Sequence, residues 1–132
     1  LAIMRKALPP GHPNLAASMT GLAENYRLQK KFAKAEELFL EALPIFEKAA
    51  GPSHPMVAIC VRRTARLYRD QKKFEKAEPL FQRALEIQEK SLPPTHPDTL
   101  KVLDDLADLY RALKQEVKAD EFAARAEQAR KK

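Results

Sequence analysis

Apolar residues recur at helical spacing through most of the chain. In the first clear stripe they fall at positions i, i+3, i+4 and i+7, as Met19, Leu22, Ala23 and Tyr26. This spacing predicts a helix with one buried face. A polar break at residues 29–31 precedes a second apolar stripe, formed by Phe32, Ala35, Leu38, Phe39, Ala42 and Phe46. The two stripes predict a helical hairpin in which small alanines let the helix axes approach to about 8–10 Å.

The same pattern repeats every 42 residues. This shift superposes His12, His54 and His96, and likewise Ala23, Ala65 and Ala107, and Tyr26, Tyr68 and Tyr110. A fixed period of this size with helical spacing is typical of a solenoid, in which each unit buries its apolar face by stacking on its neighbours. We therefore predict an all-α fold, an α-solenoid of stacked antiparallel helix hairpins.

Prolines locate the helix ends. A proline follows each repeated histidine, and proline suits the first helical position because it lacks the N–H that would go unpaired there. The pattern predicts first helices near 13–28, 55–70 and 97–112, second helices near 32–49, 74–91 and 116–130, and a helical stub before Pro9. Pro44 and Pro79 fall inside second helices, where each removes one backbone hydrogen bond. Pro79 lies near its helix start, whereas Pro44 predicts a bend or an early end.

The period also divides the chain. The predicted units are the end of a preceding repeat's second helix at 1–11, repeat 1 at 12–53, repeat 2 at 54–95 and a terminal capping repeat at 96–132. Residues 1–3 align with residues 43–45, so we interpret the chain as cut from a longer protein. In the last unit, the stacking positions of Phe74, Phe81 and Leu85 are taken by Glu116, Ala123 and Glu127. Such a loss of apolar residues is typical of a last helix that faces water.

Three motifs carry a family resemblance. They are Leu-Ala-x-x-Tyr from Leu22, Gln-Lys-Lys-Phe from Gln71 and Ala-Glu-x-x-Phe-x-x-Ala-Leu from Ala35. Together they resemble the tetratricopeptide repeat, and the 42-residue unit with its His-Pro dipeptide is similar to the variety in kinesin light chains and many bacterial arrays. The resemblance implies a right-handed superhelix whose first helices line a concave groove that binds an extended or helical peptide.

The sequence departs from the family pattern at three places. Lysines stand where the turn between helices often has glycine, at Lys30, Lys72 and Lys114. Thr64 replaces the leucine of the other repeats. Paired asparagines common in the kinesin light chain variety are replaced by Thr20-Gly21, Arg62-Arg63 and Asp104-Asp105. The last change removes the side chains with which that variety grips a peptide backbone.

The resemblance identifies candidate groove residues on the faces of the first helices that point away from the core. They are Ala17, Thr20, Glu24 and Arg27, then Ile59, Arg62, Arg66 and Arg69, then Lys101, Asp104, Asp108 and Arg111. The spacing of Arg62, Arg66 and Arg69 places them on one stripe. Because arginine forks match carboxylates in a bidentate way, this stripe favours an acidic ligand segment. The alternative is that these arginines are solvated charges that answer Asp104 and Asp108.

The net charge of +6 raises the question of nucleic-acid binding. Basic and acidic residues number 9 against 5 in residues 54–95, but 5 against 5 in 12–53 and 8 against 8 in 96–132. The excess is therefore local. Apart from Phe122, no aromatic residue is interleaved with these basic residues on an exposed face, so bases would have no stacking platform. We predict no nucleic-acid partner, and no run of residues is apolar enough to predict a membrane span.

No residue pattern indicates catalysis, a cofactor or a metal. His12, His54 and His96 occur once per repeat, about 10 Å or more apart, whereas zinc needs its nitrogen ligands at about 2.0–2.1 Å. We interpret them as residues that begin helices and pack loops. The acidic cluster of Asp104, Asp105 and Asp108 is either a cation site or, more simply, a solvated face. Cys60 is a single cysteine, which fits a reducing cytoplasm.

Three function classes follow. The first is a scaffold that binds a peptide or partner domain in the concave groove. The second is a structural module that self-associates, with the exposed N-terminal face stacking on another copy to give a homo-oligomer. The third is a sensor or regulatory segment of a larger signalling protein. We expect a cytoplasmic, non-enzymatic protein with a protein or peptide partner.

Overall fold

The computed structural model of the chain describes residues 13–93 and 95–131. These residues form six α-helices and no strand: α1 Pro13–Leu28, α2 Phe32–Ala50, α3 Pro55–Asp70, α4 Phe74–Ser91, α5 Pro97–Ala112 and α6 Glu116–Lys131. Consecutive helices pair into hairpins, and the hairpins stack in chain order. The predicted all-α solenoid is confirmed, and each helix begins and ends within a residue of its predicted bounds. The stub expected before Pro9 lies outside the described residues.

Of the two outcomes predicted at Pro44, a bend or an early end, the early end is wrong. Helix α2 continues through this proline to Ala50. Pro44 itself is exposed, while Ala42 and Phe46 on either side are buried, so the packing of their side chains keeps the helix in place across one missing hydrogen bond. The helix ends instead at Gly51, which takes a left-handed backbone angle (φ 94°) that favours glycine.

The core runs without interruption through all three hairpins. Its crossing points are fully buried alanines such as Ala23, Ala65 and Ala77, which let the backbones approach closely. Phe39 and Phe81 fill the space beside these crossings and are also fully buried. The buried positions of helix α6 are the small residues Ala119, Ala126 and Ala129, and the partly buried Phe122 also packs against the core.

The first helices lie closer together than the second helices. Within the described residues, α1, α3 and α5 contact one another in sequence, with Cα atoms within 8 Å, whereas α2, α4 and α6 do not. Long side chains bridge the wider spacing instead: Arg83 pairs with Glu47 (Nη2 to Oε2, 2.6 Å) and Arg125 with Glu89 (Nη2 to Oε2, 2.7 Å). The tighter spacing makes the face of the first helices the inner, concave one.

Histidine side chains begin two of the first helices. Nδ1 of His54 accepts the backbone N–H of Met56 at 3.0 Å, and Nδ1 of His96 accepts that of Asp98 at 3.1 Å. Each bond satisfies an N–H that has no partner within the helix, and the proline between the two residues has no N–H to satisfy. The predicted role of these histidines at helix starts is confirmed for both, and His12 lies outside the described residues.

The three turn lysines adopt the left-handed conformation that glycine would tolerate best. The φ angles of Lys30, Lys72 and Lys114 are 63°, 62° and 60°. In each turn the following N–H reaches back to a tyrosine carbonyl, as from Lys73 to Tyr68 at 2.8 Å. This is the hydrogen-bond pattern of a Schellman ending. The departure from the family's glycine therefore leaves the turn geometry intact, with three non-glycine residues in a strained region.

Two of the repeated tyrosines, Tyr68 and Tyr110, lie where their first helix meets the preceding repeat. The hydroxyl of Tyr110 donates to Glu78 Oε2 and accepts from Gln82 Nε2, both at 2.6 Å. Glu36 lies in the equivalent position near Tyr68, and burial, then the charge of Glu36, raises the pKa of this tyrosine. Burial, then the bond to Glu78, raises the pKa of Tyr110 to about 12. These side chains fix the position of one hairpin on the next, and through them the relative position of the groove-lining helices.

Candidate functional site

The groove face carries a network of ion pairs rather than a row of solvated charges. Three of the predicted groove residues, Thr20, Arg27 and Arg62, are buried. Thr20 donates from Oγ1 to the carbonyl of Ala17 within its own helix, at 2.9 Å. Its hydroxyl is therefore already satisfied inside α1, while the two arginines are held by carboxylates.

Arg27 joins α1 to α3. Its Nε lies 3.1 Å from Glu24 Oε1 in the same helix, and its Nη1 lies 2.6 Å from Asp70 Oδ2 at the end of α3. Burial acts to lower the pKa of Arg27, but the hydrogen bonds and charges of the two carboxylates outweigh it, so the pKa is raised. Arg27 is therefore already paired with carboxylates of its own chain, and it links two first helices.

Asp105 joins α3 to α5. Its Oδ2 lies 3.5 Å from Nη1 of Arg62, and its Oδ1 lies 3.4 Å from Nη1 of Arg69. Arg69 also reaches Asp70, with 3.5 Å between Nη2 and Oδ1. Burial raises the pKa of Asp105, and the neighbouring arginines act against this rise. One carboxylate thus engages two arginines of the predicted stripe, one with each oxygen.

The acidic partners named from the sequence, Asp104 and Asp108, are not those that face the stripe. Asp104 forms an ion pair with Arg130 of α6, and Asp108 is exposed. Asp105 takes the place expected for them because successive first helices cross with an offset of one residue. The pairs Arg27–Asp70 and Arg62–Asp105 are both 43 residues apart, one more than the repeat. The 43-residue spacing between these arginines and aspartates can be read from the sequence, but a comparison of positions exactly 42 residues apart does not find the pairs.

The predicted groove residues of the third repeat do not all lie at the groove. Arg111 turns toward the second helix of its own hairpin, where it approaches Glu116 at 3.7 Å and Asp120 at 3.1 Å. Lys101 and Asp108 stay exposed on α5. The structure therefore brings together the first and second repeats' residues around α3 and separates Arg111 from them.

Arg66 is the member of the stripe that no carboxylate holds. It is half-buried and makes no hydrogen bond or ion pair within residues 13–93 and 95–131, and its Nε is shielded from solvent. Burial lowers the pKa of Arg66, with Arg27, Arg62 and Arg69 adding to the effect and Asp105 opposing it. A cation in such surroundings is stabilised by any anion that can reach it.

The balance of charge around Arg66 is positive. Four arginines (Arg27, Arg62, Arg66 and Arg69) face three carboxylates (Glu24, Asp70 and Asp105). Among the described residues, the cluster therefore keeps one excess positive charge, and Arg66 is the side chain without a carboxylate partner.

An apolar hollow opens on the same face, between the starts of α1 and α3. Its volume is about 180 Å³, and its walls include Ala17, Phe46, Met56 and Ile59. Ile59, one of the predicted groove residues, is half-buried there, and Met56 is exposed. A side chain of a ligand could bury apolar surface in this hollow next to the arginine stripe.

The described residues offer little for other chemistry. They contain no group of three or more His, Cys, Asp or Glu side chains placed to hold a metal ion, the cluster of Asp104, Asp105 and Asp108 included. Burial raises the pKa of the Cys60 thiol to about 12, so it is protonated and a poor nucleophile near neutral pH. No helix in the described ranges is long and apolar enough to cross a membrane.

Comparisons with known proteins agree on the fold. A search of curated proteins finds no match. The solved structures include BtubC (BKLC) from P. vanneervenii, with 25% identity and a TM-score of 0.86 over 92% of this chain and 48% of that one. A putative kinesin light chain from Podospora anserina with nearly identical TPR-like repeats gives 29% identity and a TM-score of 0.78, over 97% of this chain and 61% of that one.

A third structure shows the fold alone. The N-terminal domain of stress-induced protein-1 (STI-1) from C. elegans is 17% identical, with a TM-score of 0.71 over 91% of this chain and 87% of that domain. The chain spans less than two thirds of the first two structures. The family model of the tetratricopeptide repeat matches residues 1–48, 16–90 and 58–132. The chain belongs to the tetratricopeptide repeat family, whose repeats generally form non-catalytic scaffolds for protein–protein interaction.

Proposed function

We propose that this chain binds a peptide or a segment of a partner protein in the concave groove formed by α1, α3 and α5, with an acidic residue of the ligand against Arg66. The observation that carries the proposal is the state of Arg66, a half-buried guanidinium without a carboxylate partner among the described residues. A ligand carboxylate would be that partner, and it would accept two parallel hydrogen bonds from the Arg66 guanidinium.

The proposal narrows the set of arginines that contact the ligand. Arg62 and Arg69 share Asp105, and Arg27 is held by Glu24 and Asp70. These three therefore position the site and contribute charge to it, while Arg66 is the direct contact. Lys101 and Asp108 on α5 stay candidates for the part of the ligand beyond this contact.

Charge alone does not give a strong complex. An exposed ion pair contributes about 0.2–1 kcal/mol, and a half-buried one contributes more only if its desolvation is offset. Burial of apolar surface in the hollow beside Ile59 would add to the affinity, at roughly 25 cal/mol per Å² of apolar area removed from water. The acidic residue then selects and orients the ligand. A cytoplasmic location belongs to the same proposal and is supported by the free, buried Cys60.

The experiment is selection of binders from a random 12-residue peptide display library, so that no natural ligand has to be identified first. The wild-type chain is compared with Arg66→Glu and with Lys90→Glu. Lys90 pairs with Glu86 on α4, away from the groove, so its replacement makes the same change of charge elsewhere. Circular dichroism confirms that each variant is folded.

We expect the wild type and Lys90→Glu to select the same peptides, enriched in Asp and Glu. Arg66→Glu should lose this enrichment and select neutral or basic peptides, because its carboxylate repels the acidic ligand. If the folded Arg66→Glu variant selects the same acidic peptides as the wild type, Arg66 is not the contact and the proposal is wrong.

A further inference from the structure

Asp105 occupies the arginine stripe in the manner of a ligand. It is a carboxylate from the next repeat, its side chain is 14% exposed, and it divides its two oxygens between Arg62 and Arg69. The Arg62 side chain is 9% exposed and keeps a shielded Nε without a partner, so it has hydrogen-bonding capacity left after Asp105 is bound. The chain thus already contains one bound carboxylate on this surface.

This internal carboxylate decides how much positive charge is left for a ligand. With Asp105 in place, the cluster has one excess positive charge. Without it, Arg62, Arg66 and Arg69 would form a row of three guanidinium groups on adjacent turns of α3. Such a row attracts segments with several negative charges, including runs of acidic residues and phosphate chains.

We propose that Asp105 is the specificity-determining residue of the groove, because it neutralises Arg62 and Arg69 and so restricts the site to a single ligand carboxylate at Arg66. The proposal rests on the proposed function of the groove. It assigns to Asp105 a role beyond holding α5 against α3. A polyanionic segment gains little over a single acidic residue in the wild type, since its further charges meet Asp105 and Asp70.

Two short probes test the proposal. Fluorescein-labelled hexaglutamate and a labelled hexapeptide with one glutamate among five glutamines are titrated with the protein by fluorescence anisotropy at low ionic strength. The wild type is compared with Asp105→Asn, which has nearly the same shape and lacks the charge. Glu121→Gln, an exposed position on α6, is the matched control for the change in net charge.

We expect the wild type to bind hexaglutamate no more than about threefold tighter than the peptide with one glutamate. In Asp105→Asn this preference should rise to about tenfold or more, which corresponds to about 1.4 kcal/mol, because Arg62 and Arg69 are then free to attract further ligand carboxylates. The control should keep the wild-type ratio. An unchanged ratio in folded Asp105→Asn would overturn the proposal.

A second pair of variants keeps the test valid if Asp105→Asn does not fold. Arg62→Met alone is compared with Arg62→Met combined with Asp105→Asn, in which Arg62 and the carboxylate it pairs with are removed together, so that Arg62 is not left buried without its acceptor. The double variant should prefer hexaglutamate about tenfold more strongly than the single variant. Equal preferences would contradict the proposal.

The outcome for Asp105 is separate from the outcome for the groove. If the display selection shows acidic peptides that depend on Arg66, while the ratio of the two probes is insensitive to Asp105, the binding function stands and this inference fails. If no acidic enrichment depends on Arg66, the proposed function fails first.

Discussion

Removing one hydroxyl should measure how firmly the repeats are joined. In Tyr110→Phe the ring keeps its stack on Phe122, with 5.5 Å between centroids, and the Lys118 ammonium keeps its position over the ring at 5.3 Å. The hydrogen bonds to Glu78 and Gln82 are lost. The variant therefore isolates the polar contact between the second and third hairpins from the apolar packing around it.

The expected cost follows from the type of bond. A hydrogen bond to a charged acceptor contributes about 1.5–3 kcal/mol. Glu78 is half-buried, so water can replace part of the lost bond, and we expect a loss of about 2 kcal/mol in the free energy of unfolding. Tyr68→Phe should cost less, because Tyr68 lies near the Glu36 charge but makes no short hydrogen bond like that between Tyr110 and Glu78.

Urea unfolding followed by circular dichroism gives these free energies. A double-mutant cycle with Glu78→Met, which has no acceptor oxygen, separates the Tyr110–Glu78 contact from unrelated effects, and the coupling energy should be about 1–2 kcal/mol. Hydrogen exchange should show the loss of protection concentrated in α5 and α6, since contacts in a solenoid are made between neighbours. A cost below about 0.5 kcal/mol, or a coupling energy near zero, would refute the view that these tyrosines lock one repeat to the next.

Three further predictions concern single groups. Lys72→Gly should stabilise the chain by about 1 kcal/mol in urea unfolding, because glycine relieves the left-handed backbone at that turn; destabilisation would contradict the strain. Cys60 should react with a thiol reagent at pH 8 at least about 100-fold more slowly in the folded chain than in urea, since burial raises its pKa to about 12; equal rates would place the thiol at the surface. Tyr110 should ionise near pH 12 by ultraviolet titration, and stability should fall as pH rises from about 10 to 12, because the unfolded chain loses that proton first; a flat profile would contradict the shift.

The sequence predicts the helices well because their determinants are local. Each first helix begins at a proline after a histidine, and the two described histidines supply the hydrogen bond that the helix start lacks. Each first helix ends at a turn in which the N–H after the lysine donates to the tyrosine carbonyl. Pro44 is the exception because a local rule competes there with packing, and the buried neighbours Ala42 and Phe46 decide the outcome.

The groove is harder to predict because it depends on how neighbouring repeats cross. The stripe of Arg62, Arg66 and Arg69 follows from helical spacing within α3. Helical spacing does not identify the carboxylate that pairs with this stripe. Asp104 and Asp105 lie about 100° apart around the same helix, and only the crossing of α3 and α5 decides which one faces the arginines. The sequence also gives no direct measure of burial for Arg27 and Arg62, whose long side chains lie along the surface beneath their carboxylate partners.

Direct contact between Arg66 and an acidic ligand residue is the step on which the proposed binding in the concave groove depends. It can be observed by an NMR titration of the arginine Nε–Hε signals with the acidic peptide most enriched by the wild-type chain. We expect the Arg66 signal to shift most and those of Arg62 and Arg69 to shift less, while Arg83 and Arg125 between the second helices do not move. Saturable shifts at Arg83 and Arg125 with Arg66 unchanged would place the binding surface on the outer face and contradict the proposed contact.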